Sequence, residues 1–452
     1  MNVHFIAIGG SAMHNLAIAL HKNGFRVTGS DDEIFEPSRS RLEAHGILPE
    51  SWGWNPNKIT DDIDAVILGM HARKDNPELL VAQDKGLKIY SYPEYIFQQT
   101  KNKKRVVIGG SHGKTTTTSM LMHVLKDVGM DFDYMVGANL EGFDTMVKLT
   151  KDAKVVVLEG DEYLSSPIDL RPKFHLYHPH IAVITGIAWD HVNVFPTFDN
   201  YVQQFEIFTE RIEPGGKLIY FSGDQNILKI AMNSRRDIEN LSYQTHDYTI
   251  EDNKLYLLDG GNKYQIQIFG EHNLQNLSAA LNVCIQLGIS KKQFYDSIQS
   301  FTGASKRLQL LKETKNSAAY LDFAHSPSKL KATVEAVKNR FPERKLIACM
   351  ELHTFSSLKK EFLSHYKGSM DKSDIACVYF NPKVVEHKKL DNISVDQVGK
   401  AFNKDGLRVY TDSQEMLTFL KEQDYKDSIL LLMSSGTFDG QDLKQVAEDL
   451  LK

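Results

Sequence analysis

The chain has 452 residues, of which 42% are hydrophobic and 25% are charged. This is an ordinary globular composition, and at roughly 150 residues per domain the length predicts about three domains. The net charge of −5 offers no basic surface for nucleic acid or anionic lipid. No apolar run approaches the roughly 20 residues that cross a bilayer, and the amino terminus does not resemble a secretory signal. We therefore expect a soluble, cytoplasmic protein that acts on small molecules, with no nucleic-acid or membrane partner.

The chain contains three cysteines, Cys284, Cys349 and Cys377. Each lies within an apolar run, and none has a second cysteine at the CxxC spacing of a zinc site. We therefore expect three buried, reduced thiols and no metal site built from cysteine.

The order of strand and helix patterns predicts the domain organisation. Short β-branched runs alternate with helical patterns over the first hundred residues, which indicates parallel βαβ units. A basic, polar piece at 101–105 then precedes a new strand, and a tyrosine-rich, antiparallel-looking stretch at 243–269 precedes a return to the α/β pattern. The predicted fold is α/β with three domains: a Rossmann-like domain at 1–100, a central domain at 101–302 and a doubly wound domain at 303–452.

The clearest local motif follows the strand that opens the central domain. It reads Gly109-Gly110-Ser111-His112-Gly113-Lys114-Thr115-Thr116 and runs into a helical pattern. Glycines let backbone N–H groups close around phosphate oxygens, and the helix N-terminus adds a favourable dipole. Lys114 would neutralise the β- and γ-phosphates, and Thr115 would offer its hydroxyl to Mg²⁺. The motif predicts a P-loop one residue shorter than GxxxxGK[ST]; the alternative is a plain strand-to-helix turn with a solvated lysine.

Acidic residues follow two further strands of the same predicted sheet. Glu159, Asp161 and Glu162 come after the buried run 155–158, and Asp190-His191 comes after the run 182–185. Carboxylates at the carboxyl ends of parallel strands supply the hard oxygen ligands that a Mg·ATP site needs. Each cluster alone is more often a solvated loop, but together they predict a metal–phosphate site.

The first turn of the chain resembles part of a dinucleotide-binding fingerprint. Ile6 to Met13 leads from a strand to a helix, and Asp31 ends the next strand. Ala7 and Ala12 stand where glycines are expected, and Asn15 breaks the GxGxxG pattern, so NAD is disfavoured. Such a turn can instead hold the diphosphate of another nucleotide, with Asp31 near its ribose or base. A purely structural tight turn is the alternative.

Taken together, the chain resembles the Mur ligases, amide-forming enzymes of peptidoglycan metabolism whose relatives include folylpolyglutamate synthetase. The resemblance covers essentially the whole chain and rests on six motifs: Gly109 to Thr117, Glu159 to Glu162, Asp190-His191, Gly270 to Asn273 with Asn276, Lys306 to Leu308, and Asp322 to His325. It implies a UDP-binding amino-terminal domain, a central ATPase domain, and a carboxy-terminal domain that closes over the site about a hinge at Thr302–Ser305.

The resemblance also implies a role for each matching residue. The catalytic residues would be Lys114, His191, Arg307 and His325. ATP would be held by Gly110, Ser111, His112, Gly113, Lys114, Thr115, Thr116, Asn273, Asn276, Arg307 and Asp322. Mg²⁺ would be bound by Thr115, Glu159 and His191. The UDP-sugar would contact Gly10, Ser11, Ala12, Met13, Ser30 and Asp31, with Asn76 to Glu78 in the same region.

The expected reaction is an ATP-dependent ligation through an acyl phosphate. The amino-terminal domain is similar to the branch of the family that acts on UDP-N-acetylmuramate. The segments 159–163, 171–174, 177–179 and 190–195 favour an amine that is the L-Ala-γ-D-Glu-diamino acid tripeptide of peptidoglycan recycling, with L-alanine as the alternative. Ser326, where relatives have a histidine, and Glu351 to Phe355, without the expected proline and arginine, depart from the pattern.

Three other functions remain as rivals at this point. A P-loop kinase would release ADP without inorganic phosphate, and a nucleotide-sensing module would bind without turnover. A dinucleotide-dependent oxidoreductase would need tight NAD(P) binding, which the broken glycine pattern disfavours.

Overall fold

The structure is a computed structural model that describes residues 1–138, 140, 142–252, 254–304 and 306–451. Within these residues the strands form four sheets, and the chain divides into two compact units. The first unit comprises Met1–Ile187, Asp199–Gln244 and Ser278–Ser297; the second comprises Ala188–Phe198, Thr245–Leu277 and Ile298–Lys452. Among the described helices, none combines the length and the apolar character that spanning a bilayer requires. Ser305, the last residue of the expected hinge, lies outside the described residues.

The first unit begins with a four-stranded, fully parallel sheet in the order β2-β1-β3-β4. Its strands are β1 (Asn2–Ile6), β2 (Arg26–Ser30), β3 (Ala65–Leu68) and β4 (Ile89–Ser91). The helices of this region are α1 (Ser11–Lys22), α2 (Ser38–Ala44), α3 (Pro77–Asp84) and α4 (Tyr92–Thr100). The predicted βαβ pattern is confirmed, because apolar strand residues such as Ile6, Val66 and Leu68 are buried against helix residues such as Leu79 and Ala82.

A seven-stranded sheet forms the rest of the first unit. Its strands are β5 (Lys104–Gly109), β6 (Phe132–Met135), β7 (Val147–Lys148), β8 (Val155–Gly160), β9 (Ile181–Ile184), β10 (Lys217–Phe221) and β11 (Glu239–Tyr243). The helices between them are α5 (Lys114–Asp127), α6 (Phe198–Glu210) and α7 (Gln225–Met232). The order is β11-β10-β9-β5-β8-β6-β7, and only β7 runs antiparallel to its neighbour. Strands β9, β5 and β8 therefore end side by side, as the acidic motifs predicted.

The second unit contains a small antiparallel sheet and a larger mixed sheet. The first consists of β12 (Tyr248–Glu251), β13 (Lys254–Asp259) and β14 (Asn262–Ile266), which confirms the antiparallel stretch except that Tyr243 ends the parallel strand β11. Helices α8 (Glu271–Gln286) and α9 (Lys291–Ile298) follow in the chain.

The larger sheet of the second unit has the order β15-β16-β20-β17-β18-β19 and is parallel except at β15. Its strands are β15 (Gln309–Glu313), β16 (Ala318–Asp322), β17 (Lys345–Leu352), β18 (Ile375–Phe380), β19 (Arg408–Tyr410) and β20 (Ser428–Met433). Its helices are α10 (Pro327–Arg340), α11 (Pro382–His387), α12 (Val395–Phe402), α13 (Ser413–Lys421) and α14 (Leu443–Leu450). The α/β pattern predicted for this segment is confirmed.

The basic piece at 101–105, which leads from α4 into β5, contains buried side chains that its polar composition did not predict. Lys103 and Arg105 are both buried. Lys103 Nζ lies 2.5 Å from Asp133 Oδ2, and Arg105 Nη2 lies 2.5 Å from Glu213 Oε1. Because these cations are paired with carboxylates of the seven-stranded sheet and its loops, side-chain contacts fix the path of the chain at this point.

The three cysteines are free and buried, as predicted. The sequence did not show that two of them are neighbours: Cys349 on β17 stands directly opposite Cys377 on β18. Burial raises the pKa of the Cys349 thiol well above its ordinary value, and the neighbouring Cys377 adds to the shift. The protonated thiol is therefore the favoured form of Cys349.

A buried histidine in the first unit predicts loss of stability in acid. His175 stacks on the Phe174 ring with 4.8 Å between ring centres, and its Nε2 lies 2.7 Å from the Gln204 carbonyl oxygen. Burial lowers the pKa of His175 from 6.5 to about 4. Since the unfolded chain binds the proton more readily, the stability due to the neutral ring is complete above pH 6.5 and is lost as pH falls towards 4.

We expect His175→Gln to show a weaker dependence of unfolding on pH than the wild type. The wild type should lose about 2 kcal/mol of unfolding free energy through this group between pH 7.5 and pH 5. Urea unfolding at the two pH values measures the difference, and His71→Gln, a change at an exposed position, is the control. Equal pH slopes for wild type and His175→Gln would contradict the assignment.

Candidate functional site

The predicted P-loop forms between the central strand β5 and helix α5. Strand β5 ends at Gly109 and α5 begins at Lys114. Gly110 and Gly113 have φ angles of 138° and 80°, in a backbone region that residues other than glycine rarely adopt. Ser111 N donates to the Gly186 carbonyl oxygen at 2.9 Å, so the turn lies against the residues that follow β9. The strand, glycine turn and helix that phosphate binding requires are therefore all present.

The packing behind the loop requires a glycine at position 186. A Cβ atom placed on Gly186 would lie 2.0 Å from the ring of His112, a residue of the loop itself. Gly186 followed a predicted strand, but nothing in the sequence marked it as part of the phosphate site.

We expect Gly186→Ala to weaken nucleotide binding while the protein still folds. The new methyl group would displace the His112 ring and with it the backbone N–H groups of the loop. Titration with an ATP analogue should show at least about tenfold weaker binding, because misplaced donors lose charge-assisted hydrogen bonds worth over 1 kcal/mol. Gly399→Ala is the matched control, because a Cβ on Gly399 meets no atom within 4 Å. Unchanged affinity in Gly186→Ala would show that His112 does not shape the loop.

Lys114, which is partly buried, belongs to a network of polar side chains whose other members are buried. Its Nζ is 2.5 Å from Glu162 Oε2 and also donates to the Gly110 carbonyl oxygen. Tyr201 OH donates to Glu162 Oε1 at 2.9 Å and lies 2.8 Å from Ser111 Oγ. Burial by itself would lower the pKa of Lys114, but the carboxylates of Glu162, Asp161 and Glu159 outweigh it and raise the pKa. Lys114 is therefore a fixed positive charge at the first residue of α5.

Thr115 and Glu159 form a second polar pair beside the first. Thr115 Oγ1 donates to Glu159 Oε1 at 2.8 Å, and Gly137 N donates to Glu159 Oε2 at 2.8 Å. A hydroxyl and a carboxylate oxygen next to a phosphate loop are the donor types that Mg²⁺ accepts. The chemistry of this donor set fits a magnesium ion, and Thr115 and Glu159 would hold it. His191, the third predicted ligand, lies in the second unit.

In the first unit the structure brings together the predicted P-loop and the acids at the carboxyl end of β8. Strands β5 and β8 are neighbours, with Ile108 opposite Glu159 and Gly109 opposite Gly160. The sequence did not indicate Tyr201, Thr185 and Gly137, which contact the loop or its acids. These residues belong to no local motif, and they reach the site only because distant segments of the chain pack together.

The predicted UDP-sugar residues surround the turn between β1 and α1. Asp31 Oδ2 accepts a hydrogen bond from Gly9 N at 2.7 Å, and burial raises the pKa of Asp31 to about 7. Ser11 and Ala12 are exposed in the first turn of α1, whose N-cap residue is Gly10, while Met13 is buried. Exposed N–H groups at a helix N-terminus are suited to a diphosphate.

Ser30, Asn76 and Glu78, which belong to the same predicted region, make contacts inside the protein. Ser30 is buried, and its Oγ lies 3.1 Å from Lys58 Nζ. Asn76 caps α3 through its side chain, and the fully buried Glu78 contacts His4 Nε2 at 3.2 Å. Asn76 and Glu78 therefore stabilise the fold of this region, the first by capping a helix and the second through a buried contact.

In the second unit, Asp322 organises the segment that contains Arg307. Its carboxylate accepts from Leu308 N at 2.7 Å, from Ala324 N at 2.8 Å and from Thr333 Oγ1 at 3.1 Å. The Arg307 guanidinium lies over the Phe323 ring, 4.4 Å from its centre. Arg307 is thereby held against the end of strand β16.

Asn273 and Asn276 lie near the start of helix α8, in the part of the helix that belongs to the second unit, and both are buried. Asn273 Nδ2 donates to the Phe269 carbonyl oxygen at 2.8 Å. The preceding Gly270 has a φ of 93°, and a Cβ there would lie 2.8 Å from the Ala336 methyl group on α10. The glycine of this motif therefore allows α8 to start close to α10.

A charged cluster joins Asp190, Lys329 and His325. Lys329 Nζ lies 3.5 Å from Asp190 Oδ2, and His191 N donates to Asp190 Oδ1 at 2.8 Å. Burial alone would raise the pKa of Asp190, but the Lys329 ammonium and the hydrogen bond from His191 N hold it well below its usual range. Burial and Lys329 lower the pKa of His325 to about 3, and its Nδ1 lies 2.8 Å from the Phe323 carbonyl oxygen. His325 is neutral at physiological pH.

The two departures from the expected pattern also lie in the second unit. Ser326 is the buried N-cap residue of α10, but its side chain makes no capping bond. Glu351 is buried at the end of β17, where it accepts from the Ser434 hydroxyl and from Phe438 N and lies 3.6 Å from His353 Nδ1.

A short phosphate loop, a partly buried lysine and flanking carboxylates at the carboxyl ends of neighbouring parallel strands define a P-loop protein that binds a nucleoside triphosphate. Three sequence families match consecutive parts of the chain: Mur ligase family, catalytic domain, at 2–104; Mur ligase middle domain at 108–284; and Mur ligase, glutamate ligase domain, at 306–436. The chain belongs to the Mur ligase family, and it is an ATP-dependent carbon–nitrogen ligase.

Individual relatives agree with this assignment. The UDP-N-acetylmuramate–L-alanine ligase of Lactobacillus acidophilus is 31% identical over 393 residues, which cover 83% of this chain and 85% of that protein. The crystal structure of UDP-N-acetylmuramate–alanine ligase from Thermotoga maritima matches with a TM-score of 0.71 at 19% identity, covering 100% of this chain and 98% of that one. A murein peptide ligase from Psychrobacter arcticus matches with a TM-score of 0.68 at 20% identity and the same coverage. The two structures support the three-part α/β fold.

Proposed function

We propose that this protein joins the carboxylate of UDP-N-acetylmuramate to an amine, with ATP as the phosphoryl donor. The observation that carries the proposal is the arrangement around α5, where Lys114 pairs with Glu162 and Thr115 pairs with Glu159. A fixed cation and a pair of oxygen donors beside a phosphate loop are suited to moving a phosphoryl group.

The chemistry of the reaction explains why these groups are needed. A carboxylate is a poor electrophile, and oxide is a poor leaving group. Transfer of the γ-phosphoryl group to the carboxylate forms an acyl phosphate and ADP; the amine then attacks the carbonyl carbon and expels inorganic phosphate. The protein contributes positioning and charge neutralisation, so no serine or cysteine nucleophile is required.

Each group of site residues has a proposed part in this reaction. Lys114 stabilises charge on the transferring phosphoryl group. Thr115, Glu159 and His191 are the residues that would hold Mg²⁺, which when bound would supply positive charge to the phosphate oxygens. Asn273, Asn276, Arg307 and Asp322 hold the nucleotide. The turn at Gly10 to Met13, with Ser30 and Asp31, holds the UDP-sugar, and His325 completes the catalytic set.

For the amine we propose the L-Ala-γ-D-Glu-diamino acid tripeptide. The segment after β8 that suggested this choice is a compact loop: Lys173 Nζ pairs with Asp161 Oδ2 at 2.5 Å, and Lys173 N donates to the Tyr163 carbonyl oxygen at 2.9 Å. L-Alanine is the second candidate, and one observation favours it: curated relatives that match nearly the full chain, such as that of Lactiplantibacillus plantarum, are named UDP-N-acetylmuramate–L-alanine ligase.

Phosphate release with UDP-N-acetylmuramate, ATP and Mg²⁺ tests the proposal. We expect ADP and inorganic phosphate in equal amounts only when an amine is present, with higher kcat/KM for the tripeptide than for L-alanine. A higher kcat/KM for L-alanine than for the tripeptide would identify L-alanine as the amine substrate. ADP without phosphate would indicate a kinase, and binding without turnover would indicate a nucleotide-sensing module.

A further inference from the structure

Asn15 occupies an unexpected position in the amino-terminal turn. It interrupts the glycine pattern of a dinucleotide fingerprint, and the structure buries it completely on helix α1. Its Nδ2 donates to the Ser11 carbonyl oxygen at 2.8 Å, and its Oδ1 accepts from Met146 N at 3.0 Å. Asn15 therefore connects the first turn of α1 to a residue 131 positions away.

The contact at Met146 continues through the backbone to the acid beside the phosphate loop. The Met146 carbonyl oxygen accepts from Val136 N at 3.0 Å. The next residue, Gly137, donates its N–H to Glu159 Oε2, and Glu159 Oε1 accepts from Thr115 Oγ1. Hydrogen bonds connected by short pieces of backbone thus join the end of α1 that is proposed for UDP-sugar to the first turn of α5.

This series fixes the orientation of one carboxylate. The two oxygens of Glu159 accept from groups on different elements, so the position of the Gly137 N–H decides how the carboxylate faces Thr115. The fit is tight, because a Cβ on Gly137 would lie 2.9 Å from Glu159 Oε1. Strand β7, which follows Met146, has only two residues, so its own ladder contributes few bonds to hold this segment.

We propose that Asn15 is a positioning residue: by holding Met146 and hence Val136 and Gly137, it orients Glu159 for the magnesium ion and links that acid to the turn at Ser11. The role of Glu159 in this statement rests on the proposed function. The link between Asn15 and Gly137 rests on the hydrogen bonds alone.

The test uses the full-length enzyme with Asn15→Ala and a matched control. Asn23→Ala also removes a side-chain bond from α1 to this segment, the one to the Leu149 carbonyl oxygen, but at the opposite end of the helix. In Asn15→Ala we expect faster hydrogen–deuterium exchange at the amides of Val136 and Gly137. We also expect a Mg²⁺ half-saturation constant raised about tenfold, the lower end of the effect of removing a group that orients a metal ligand. The KM for the amine should not change.

Asn15→Asp keeps an acceptor for Met146 N, and its protonated carboxyl group can still donate to the Ser11 carbonyl oxygen, so this variant in its protonated form should restore protection of both amides. If Asn15→Ala does not fold, Asn15→Ser, which is polar but too short to reach Met146, carries the same expectation. Unchanged exchange at Val136 and Gly137 overturns the positional link. Faster exchange with an unchanged Mg²⁺ constant, or an equal Mg²⁺ effect in Asn23→Ala, overturns the role in the magnesium site. Absence of ligation by the wild type would count against the proposed function. The amide exchange at Val136 and Gly137 would still show whether Asn15 holds this segment in place.

Discussion

Lys114→Ala should lower the turnover of ligation by about a thousandfold, because it removes a charge that the reaction needs mainly while the phosphoryl group moves. The expected kinetic signature is a fall in kcat with little change in the dissociation constant for UDP-N-acetylmuramate. Phosphate release measures the first quantity, and calorimetry in the absence of ATP measures the second.

Lys114→Ala should also lower the stability of the fold, and this loss must be separated from the loss of catalysis. Glu162 is fully buried, so removal of Lys114 leaves a buried carboxylate without its cation. The double variant Lys114→Ala/Glu162→Gln also removes this buried negative charge and should recover much of the stability but none of the turnover. Lys126→Ala, at the other end of α5, is the control for a charge lost from the same helix. If Lys114→Ala keeps most of the wild-type turnover, the phosphoryl-transfer role of this loop is wrong.

Arg307→Ala should lower turnover by at least about a hundredfold, as expected when a charged donor to a phosphoryl group is removed. The planar guanidinium lies over Phe323, and the adjoining Leu308 N–H is held by Asp322. Arg307→Lys should recover little, since an ammonium group neither stacks in this way nor offers two parallel donors. Steady-state kinetics with varied ATP would show the loss.

Two further variants distinguish a site effect from a general loss of charge in the second unit. Phe323→Leu removes the ring under the guanidinium and should produce an intermediate loss of turnover. Arg408→Ala removes an exposed arginine from strand β19 and should leave the rate unchanged. If Arg307→Ala behaves like Arg408→Ala, Arg307 has no part in the nucleotide site.

Several features of the site could be predicted because they depend on neighbours in the sequence. A glycine turn between a buried strand and a helix is a local structure, so the loop at Gly109 to Thr116 was correctly placed. The adjacency of Thr115 and Glu159 also followed, since parallel strands bring their carboxyl ends to one edge of a sheet. The α/β fold followed from the alternation of apolar strand runs with helical patterns.

Other features depended on which distant segments pack together. The sequence marked Lys101 to Arg105 as a polar boundary, whereas Lys103 and Arg105 are buried against carboxylates far along the chain. Cys349 and Cys377 are adjacent only because β17 and β18 pair in register.

The sequence by itself determined the fold class, the family and the phosphate loop, because periodicity and short motifs are encoded within a few residues of one another. Only the tertiary structure decided that Tyr201 reaches Ser111 and Glu162, and that Asn15 reaches Met146. These partners are separated by 90, 39 and 131 residues. A side-chain hydrogen bond forms between groups within about 3 Å, and the packing of helices on sheets sets that distance.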